Sequence, residues 1–162
     1  MARRITGESG TPATTTLTAA GIAFTAHPYP HDPAAPSYGL EAAAALGVAP
    51  ERVFKTLVVE GDGLAVGIVP ADRQLDLKVL AAALGVKRVV MAAPAKAERV
   101  TGYVVGGISP VGQKRLLPTV LDESAHAYPT VFVSGGRRGF DIEIAPADLL
   151  AVIGGRTASI AR

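Results

Sequence analysis

Two apolar, β-branched runs, residues 52–59 and 64–69, are separated only by Glu60-Gly61-Asp62-Gly63. Branched side chains suit a pleated, half-buried surface, and a short glycine-rich segment between two such runs reverses the chain. The middle of the chain is therefore committed to an antiparallel hairpin, and the rest must pack around it. A second hairpin is predicted where residues 130–133 and 140–144 flank Ser134-Gly135-Gly136-Arg137-Arg138-Gly139. In its second arm Phe140, Ile142 and Ile144 alternate with Asp141 and Glu143, which predicts one buried and one polar face.

Helical signals fill the intervals. Residues 14–20 read as a short helix closed by Gly21, and Ser37 as the N-cap of a helix through Leu46 that Gly47 ends. Leu75, Leu77, Val79, Leu80 and Leu84 recur at helical spacing before Gly85. Pro94 opens a helix to about Val100, residues 123–127 form a short one, and Pro146 starts a last helix closed by Gly154-Gly155. Further strands are expected at 22–26, 88–91 and 119–121. The sum is an α/β (α+β) fold with a mixed sheet and surrounding helices. Residues 1–13 read as a flexible leader and 14–162 as a single domain.

Composition narrows the chemistry. The chain of 162 residues is 49% hydrophobic and 19% charged, enough to bury a core without staples. It has no cysteine, so disulfides, thiolate catalysis by the protein and cysteine-bound metals are excluded. Arg3 and Arg4 precede a polar run rather than the apolar core of a signal peptide, and no apolar run reaches the ~18–20 residues of a membrane span. A cytoplasmic protein is expected. Net charge is +2 and the pI about 9.1. Its basic residues include the pairs Lys87-Arg88, Lys114-Arg115 and Arg137-Arg138, which suit either a solvated surface or a modest polyanion footprint.

Several familiar sites are absent. Residues 102–114, GYVVGGISPVGQK, lack the Gly-Lys-Ser/Thr ending of a P-loop and the spacing of a dinucleotide fingerprint. His27 and His31 stand four apart, but Pro28 and Pro30 forbid the helix that would aim both at a metal. What remains is Lys55, set between Val53 and Leu57 on one face of an apolar strand. An ammonium there either sits partly desolvated beside an anionic or polar partner, or blunts a sheet edge. Gly106 and Gly107 let backbone N–H groups approach a ligand such as a developing oxyanion, and Asp141 could hold an amine.

Three blocks carry a resemblance. Phe54-Lys55-Thr56-Leu57, then GYVVGGISPVGQKRLLPT over residues 102–119, then VSGGRRGFDIEIAPADL over residues 133–149, occur in that order. Together they resemble the YbaK family of aminoacyl-tRNA deacylases, free-standing relatives of the editing domain of bacterial prolyl-tRNA synthetases. The likeness continues upstream through Tyr29-Pro30-His31-Asp32-Pro33 and residues 38–43.

The resemblance implies a largely antiparallel mixed sheet closing towards a barrel. It implies that Gly106, Gly107, Ile108, Ser109 and Pro110 form the family's Gly-x-x-x-Pro loop against the acylated 3′ end of tRNA. Lys55 becomes the family's lysine at the terminal adenosine, acting with Gly106 and Gly107. Tyr29 and Tyr38 line the aminoacyl pocket, with Thr56, Ser134 and Asp141 as polar positions near it. Lys114, Arg115, Arg137 and Arg138 are the expected tRNA contacts.

The family pattern points to the subgroup that clears cysteine from tRNA(Pro), with Cys-tRNA(Cys) as a further substrate. In that subgroup the substrate's own thiol attacks its ester to give a thiolactone. The resemblance implies prolyl-tRNA synthetase as a transient partner, and no cofactor, metal, DNA or membrane. A water-mediated deacylase of Ala-tRNA(Pro) or another small aminoacyl-tRNA, and a non-catalytic nucleotide- or RNA-binding module, are the alternatives.

Overall fold

β2 (Phe54–Glu60) and β3 (Leu64–Pro70) form the expected central hairpin, paired from Phe54↔Pro70 to Glu60↔Leu64, in a computed structural model that describes residues 10–162. β3 is followed in the sheet by β5 (Thr119–Asp122) and β8 (Arg156–Ala158), both running parallel to it. On its other side β2 pairs with β4 (Val90–Met91), giving the order β4-β2-β3-β5-β8. β1 (Thr25–Pro28), β7 (Phe140–Ile144) and β6 (Val131–Arg137) make a second, antiparallel sheet in the order β1-β7-β6.

The main core lies between these sheets. Phe54, Val58, Val66, Ile68 and Leu121 of the larger sheet share one buried cluster with Val131, Val133, Phe140, Ile142 and Ile144 of the smaller. The opposite face of the larger sheet is covered by α3 (Leu77–Leu84), with Val59, Val69 and Leu80 buried there. α2 (Tyr38–Leu46), capped by the Ser37 side chain and ended by Gly47, packs Ala42 and Ala43 on Val53 and Phe132. Those two residues form the parallel bridge that joins the sheets. No further pairing closes them among the described residues, so the expected barrel is not completed by strand ladders.

Several boundaries moved. α1 (Pro12–Ala19) begins two residues before expectation, because Thr11 and Thr14 form a capping box and Pro12 suits the first turn. Thr11 Oγ1 also donates to the Gly135 carbonyl at 2.6 Å, and Ala13 is fully buried. Residues 11–13 are therefore part of the domain; residues 1–9 of the expected leader lie outside the described residues. Leu75 leaves the helical run to bridge Ala161, and Asp76 caps α3 instead. β6 continues to Arg137 through a register shift after Ser134, where a six-residue loop was expected. The expected strand at 22–26 lies at Thr25–Pro28, and β8 was not anticipated.

Two other elements complete the surroundings of the site. α4 (Pro94–Thr101) follows β4 and ends at Gly102, at the start of the glycine loop. α5 (Pro146–Ile153) follows β7 and is closed by Gly154.

Candidate functional site

The outer edge of β2 is paired at both ends and open between them. Val53 bridges Phe132 of β6, and Val59 pairs with Met91 of β4. A cavity of about 280 Å³ occupies this gap. Every residue from 53 to 58 lines it. Successive strand side chains point to opposite faces, so a void that touches six in a row lies along the strand's edge. Met91, Ala92, Pro94 and Ala97 form one wall, and Ser134 and Asp141 the other. Tyr29, Tyr38, Val105, Gly106 and Ile108 also line it. Thr56 Oγ1 is buried here without a protein partner among the described residues.

The glycine loop is pinned from several directions. The Val105 N–H donates to Glu98 Oε2 of α4 at 2.8 Å, and the Val105 carbonyl accepts from Arg138 Nε and Nη2 at 2.9 and 2.6 Å. Gly107 N–H donates to the Val104 carbonyl at 2.8 Å. The Tyr103 hydroxyl donates to the Val111 carbonyl, and Gln113 Nε2 to that of Ser109. Among the described residues the N–H groups of Gly106 and Ile108 have no such partner, and both residues face the cavity. They are the free loop amides on residues that line the cavity.

The loop's glycines have a structural cause as well. Gly106 has φ +91°, and a Cβ there would lie 2.8 Å from Arg138 Nε and 2.9 Å from the Tyr38 ring. A Cβ on Gly107 would lie 2.7 Å from Arg137 Cα. Backbone freed for a ligand was the expectation; what the missing Cβ atoms make room for is the β6–β7 turn and Tyr38.

Opposite charges are held at low exposure around the void. Asp141 is 5% exposed, and burial raises its carboxyl to about 7. The face of β7 predicted to meet solvent, opposite Phe140 and Ile142 in the core, is the one that lines the cavity. Burial likewise raises the Tyr29 phenol, with the Asp141 and Glu41 carboxylates adding to the effect. Half-buried Lys55 is lowered by desolvation against an opposing pull from Asp72. It makes no ion pair among the described residues, and it stands in the stretch of β2 whose outer edge has no partner strand. Among the described residues no group of three or more His, Asp or Glu side chains is placed to hold a metal.

A profile of the aminoacyl-tRNA editing domain matches residues 32–152. The chain belongs to the aminoacyl-tRNA editing domain family. Over 120 residues, 73% of each chain, this editing domain is 44% identical to EbsC of Enterococcus faecalis, a candidate Cys-tRNA(Pro)/Cys-tRNA(Cys) deacylase. It is 40% identical over 68 residues to proline–tRNA ligase of Moorella thermoacetica, covering 41% of this chain and 12% of the ligase. Its fold matches the crystal structure of a candidate trans-editing enzyme for prolyl-tRNA synthetase with a TM-score of 0.85 and 28% identity, over 98% of this chain and 99% of that one.

The editing domain brings Lys55, Thr56, Tyr29, Tyr38, Gly106, Ile108, Ser134 and Asp141 to one cavity. Gly107, Ser109 and Pro110 do not line it. Ser109 is fully buried and its Oγ accepts from the Val111 N–H, which braces the loop. Pro110 borders a different hollow, beside Leu116 and Val152. Lys114, Arg115 and Arg137 are exposed outside the cavity, and Arg137 stacks over Phe140 with 4.5 Å to the ring centroid. Arg138 is likewise exposed, but its guanidinium is engaged on Val105. The wall from Met91 to Ala97 was missed; a strand followed by Pro94 marked the turn, and nothing local marked what it faces.

Proposed function

We propose that the protein is an aminoacyl-tRNA deacylase that removes cysteine from mischarged tRNA(Pro) in trans, with Cys-tRNA(Cys) as a second substrate. One observation carries this reading: a partly desolvated Lys55, the free amides of Gly106 and Ile108, and the buried Asp141 carboxyl surround a single void. The similarity to EbsC supports the substrate class.

In this reading Asp141 holds the α-amine, Lys55 the terminal adenosine, and the loop amides the ester carbonyl oxygen. The substrate's thiol gives up its proton to water, the thiolate forms a bond to its own carbonyl carbon, the bond to the ribose oxygen breaks, and that oxygen takes a proton back from water. A cyclic thiolactone and free tRNA result. The chain contains no cysteine, and no histidine is among the residues lining the cavity. Orientation and oxyanion stabilisation are then the protein's contribution. The kinship with proline–tRNA ligase supports a transient complex with prolyl-tRNA synthetase, which would supply tRNA identity in the cytoplasm. No helix of the described residues is long and apolar enough to cross a membrane.

The test is release of labelled amino acid from cysteinyl-, seryl-, alanyl- and prolyl-tRNA(Pro), with and without the synthetase. Cysteinyl-tRNA should be cleared fastest with a trappable thiolactone, and seryl-tRNA slowly, because a hydroxyl is a far weaker nucleophile near neutral pH. Equal seryl and cysteinyl rates, or free cysteine alone, would assign the reaction to bound water. Release of none would leave a binding module.

A further inference from the structure

We propose that Arg138 is a positioning residue that aims the Gly106 amide into the cavity, rather than a cation for tRNA phosphate. The inference rests on the deacylase reading for its kinetic consequence and on geometry for the rest.

Arg138 lies in the β6–β7 turn, 33 residues from the loop it touches. Its Nε and Nη2 both donate to the Val105 carbonyl, and its guanidinium carbon stands 5.0 Å from the centroid of the Tyr38 ring. Two of its donors and one face are thus committed within the protein. Val105 is held at both ends, because its N–H meets the Glu98 carboxylate. The consequence follows from peptide geometry. A trans peptide is planar, so its C=O and N–H point in opposite directions. The Val105 carbonyl and the Gly106 N–H belong to the same peptide. Fixing the carbonyl on Arg138, which does not line the cavity, turns the Gly106 N–H the other way.

The bond also bears on strength. A guanidinium on a carbonyl makes a charge-assisted hydrogen bond, and hydrogen bonds in a chain polarise one another, so the N–H of that peptide becomes the better donor. Gly106 completes the fit, since any Cβ would strike Arg138 Nε and the Tyr38 ring. Tyr38 is in turn beside His31, 5.9 Å between ring centroids, and His31 Nδ1 bonds Glu41 at 2.9 Å. Two segments distant in sequence, the glycine loop and α2, therefore meet on the Arg138 guanidinium.

Arg138→Ala, Arg138→Gln and Arg138→Lys test this, each checked for its melting temperature. In the substrate-free protein the Gly106 amide nitrogen resonance should move in all three, most in Arg138→Ala, while that of Gly63 stays. With cysteinyl-tRNA(Pro), Arg138→Ala should lower kcat roughly 10–100-fold, the scale on which a misplaced group acts. KM and the salt dependence of tRNA binding should stay within twofold of wild type. Arg138→Lys, able to offer one bond without the planar fork, should recover part of kcat. Unchanged kcat with weaker binding and a flatter salt slope would overturn the proposal, as would an unmoved Gly106 resonance. Should Arg138→Ala fail to fold, Arg138→Lys carries both readouts. A wild-type protein that releases no amino acid would refute the deacylase reading and leave the resonance test standing.

Discussion

Gly107 packs directly on Arg137: a Cβ on the glycine would fall 2.7 Å from the arginine Cα and 2.8 Å from its carbonyl carbon. Neither backbone atom can swing aside as a flexible side chain would. Gly107→Ala is therefore expected to lower stability by about 1–3 kcal/mol, the usual range for overpacking. In a chain of this length that is a fall in Tm of roughly 2–12 °C. Gly63→Ala, where nothing lies within 4 Å, is the control and should change Tm little. Thermal unfolding of both decides it; an unchanged Tm at Gly107→Ala would mean the hairpin yields.

Lys55 is the cation facing the void from β2, and desolvation already disfavours its charge. Lys55→Ala should leave Tm close to wild type, since no ion pair is lost, while single-turnover deacylation falls about 10²–10³-fold, the scale for removing one electrostatic contact to a reacting group. Lys55→Arg should restore only part, because a planar guanidinium does not fit where a compact ammonium does. A near wild-type rate for folded Lys55→Ala would remove it from the site.

Asp141 gives a pH dependence with a definite sign. Its folded pKa, about 7, lies above the ordinary 3.8, so the folded state binds the extra proton between those values. The contribution of Asp141 to stability is full below pH ~4 and declines as pH rises through about 7, by up to about 4 kcal/mol in all. Asp141→Asn should flatten this slope in urea titrations between pH 5 and 8. The kcat/KM profile should rise through pH ~7 in wild type, as the carboxylate needed for an amine forms, and that limb should vanish in Asp141→Asn. A slope shared by both proteins would assign it to another group.

Lys114, Arg115 and Arg137 are exposed and outside the cavity, placed where a polyanion could reach them. Replacing Lys114 and Arg115 by glutamine should weaken tRNA binding and reduce the slope of log K against log salt by about 1–2. Anisotropy titrations at several salt concentrations measure this. An unchanged slope would make the pair ordinary solvated surface.

What could be read along the chain was what neighbouring residues decide. The β2–β3 hairpin, the Ser37-to-Gly47 limits of α2, the Gly85 and Gly154 helix ends and the Lys55 anomaly all rest on residues within one turn or one strand of each other. The order of three short blocks was enough to indicate the editing family. Site membership was less legible. Lys55, Thr56, Tyr29 and Asp141 could be assigned to a common cavity through resemblance, whereas Ser109 and Pro110 occupy the same loop and face elsewhere, because a loop's periodicity does not follow a helix or strand.

Tertiary structure alone decided the rest. Asp141 belongs to an alternating strand whose polar face ought to meet water, yet the distant residues that meet around the cavity, Tyr29, Tyr38 and Ala42 with residues 53–58, bury it and raise its pKa. The reason Gly106 and Gly107 lack side chains resides in Arg137, Arg138 and Tyr38, at least 30 residues away in sequence. Burial and close approach depend on which distant segments meet, and pairwise identity along a chain does not encode that meeting in any local pattern. The sequence by itself determined most of the elements, though not β8 or the far end of β6, and the chemistry they carry; packing decided which carboxyl is desolvated, which amide is free and which arginine is already engaged.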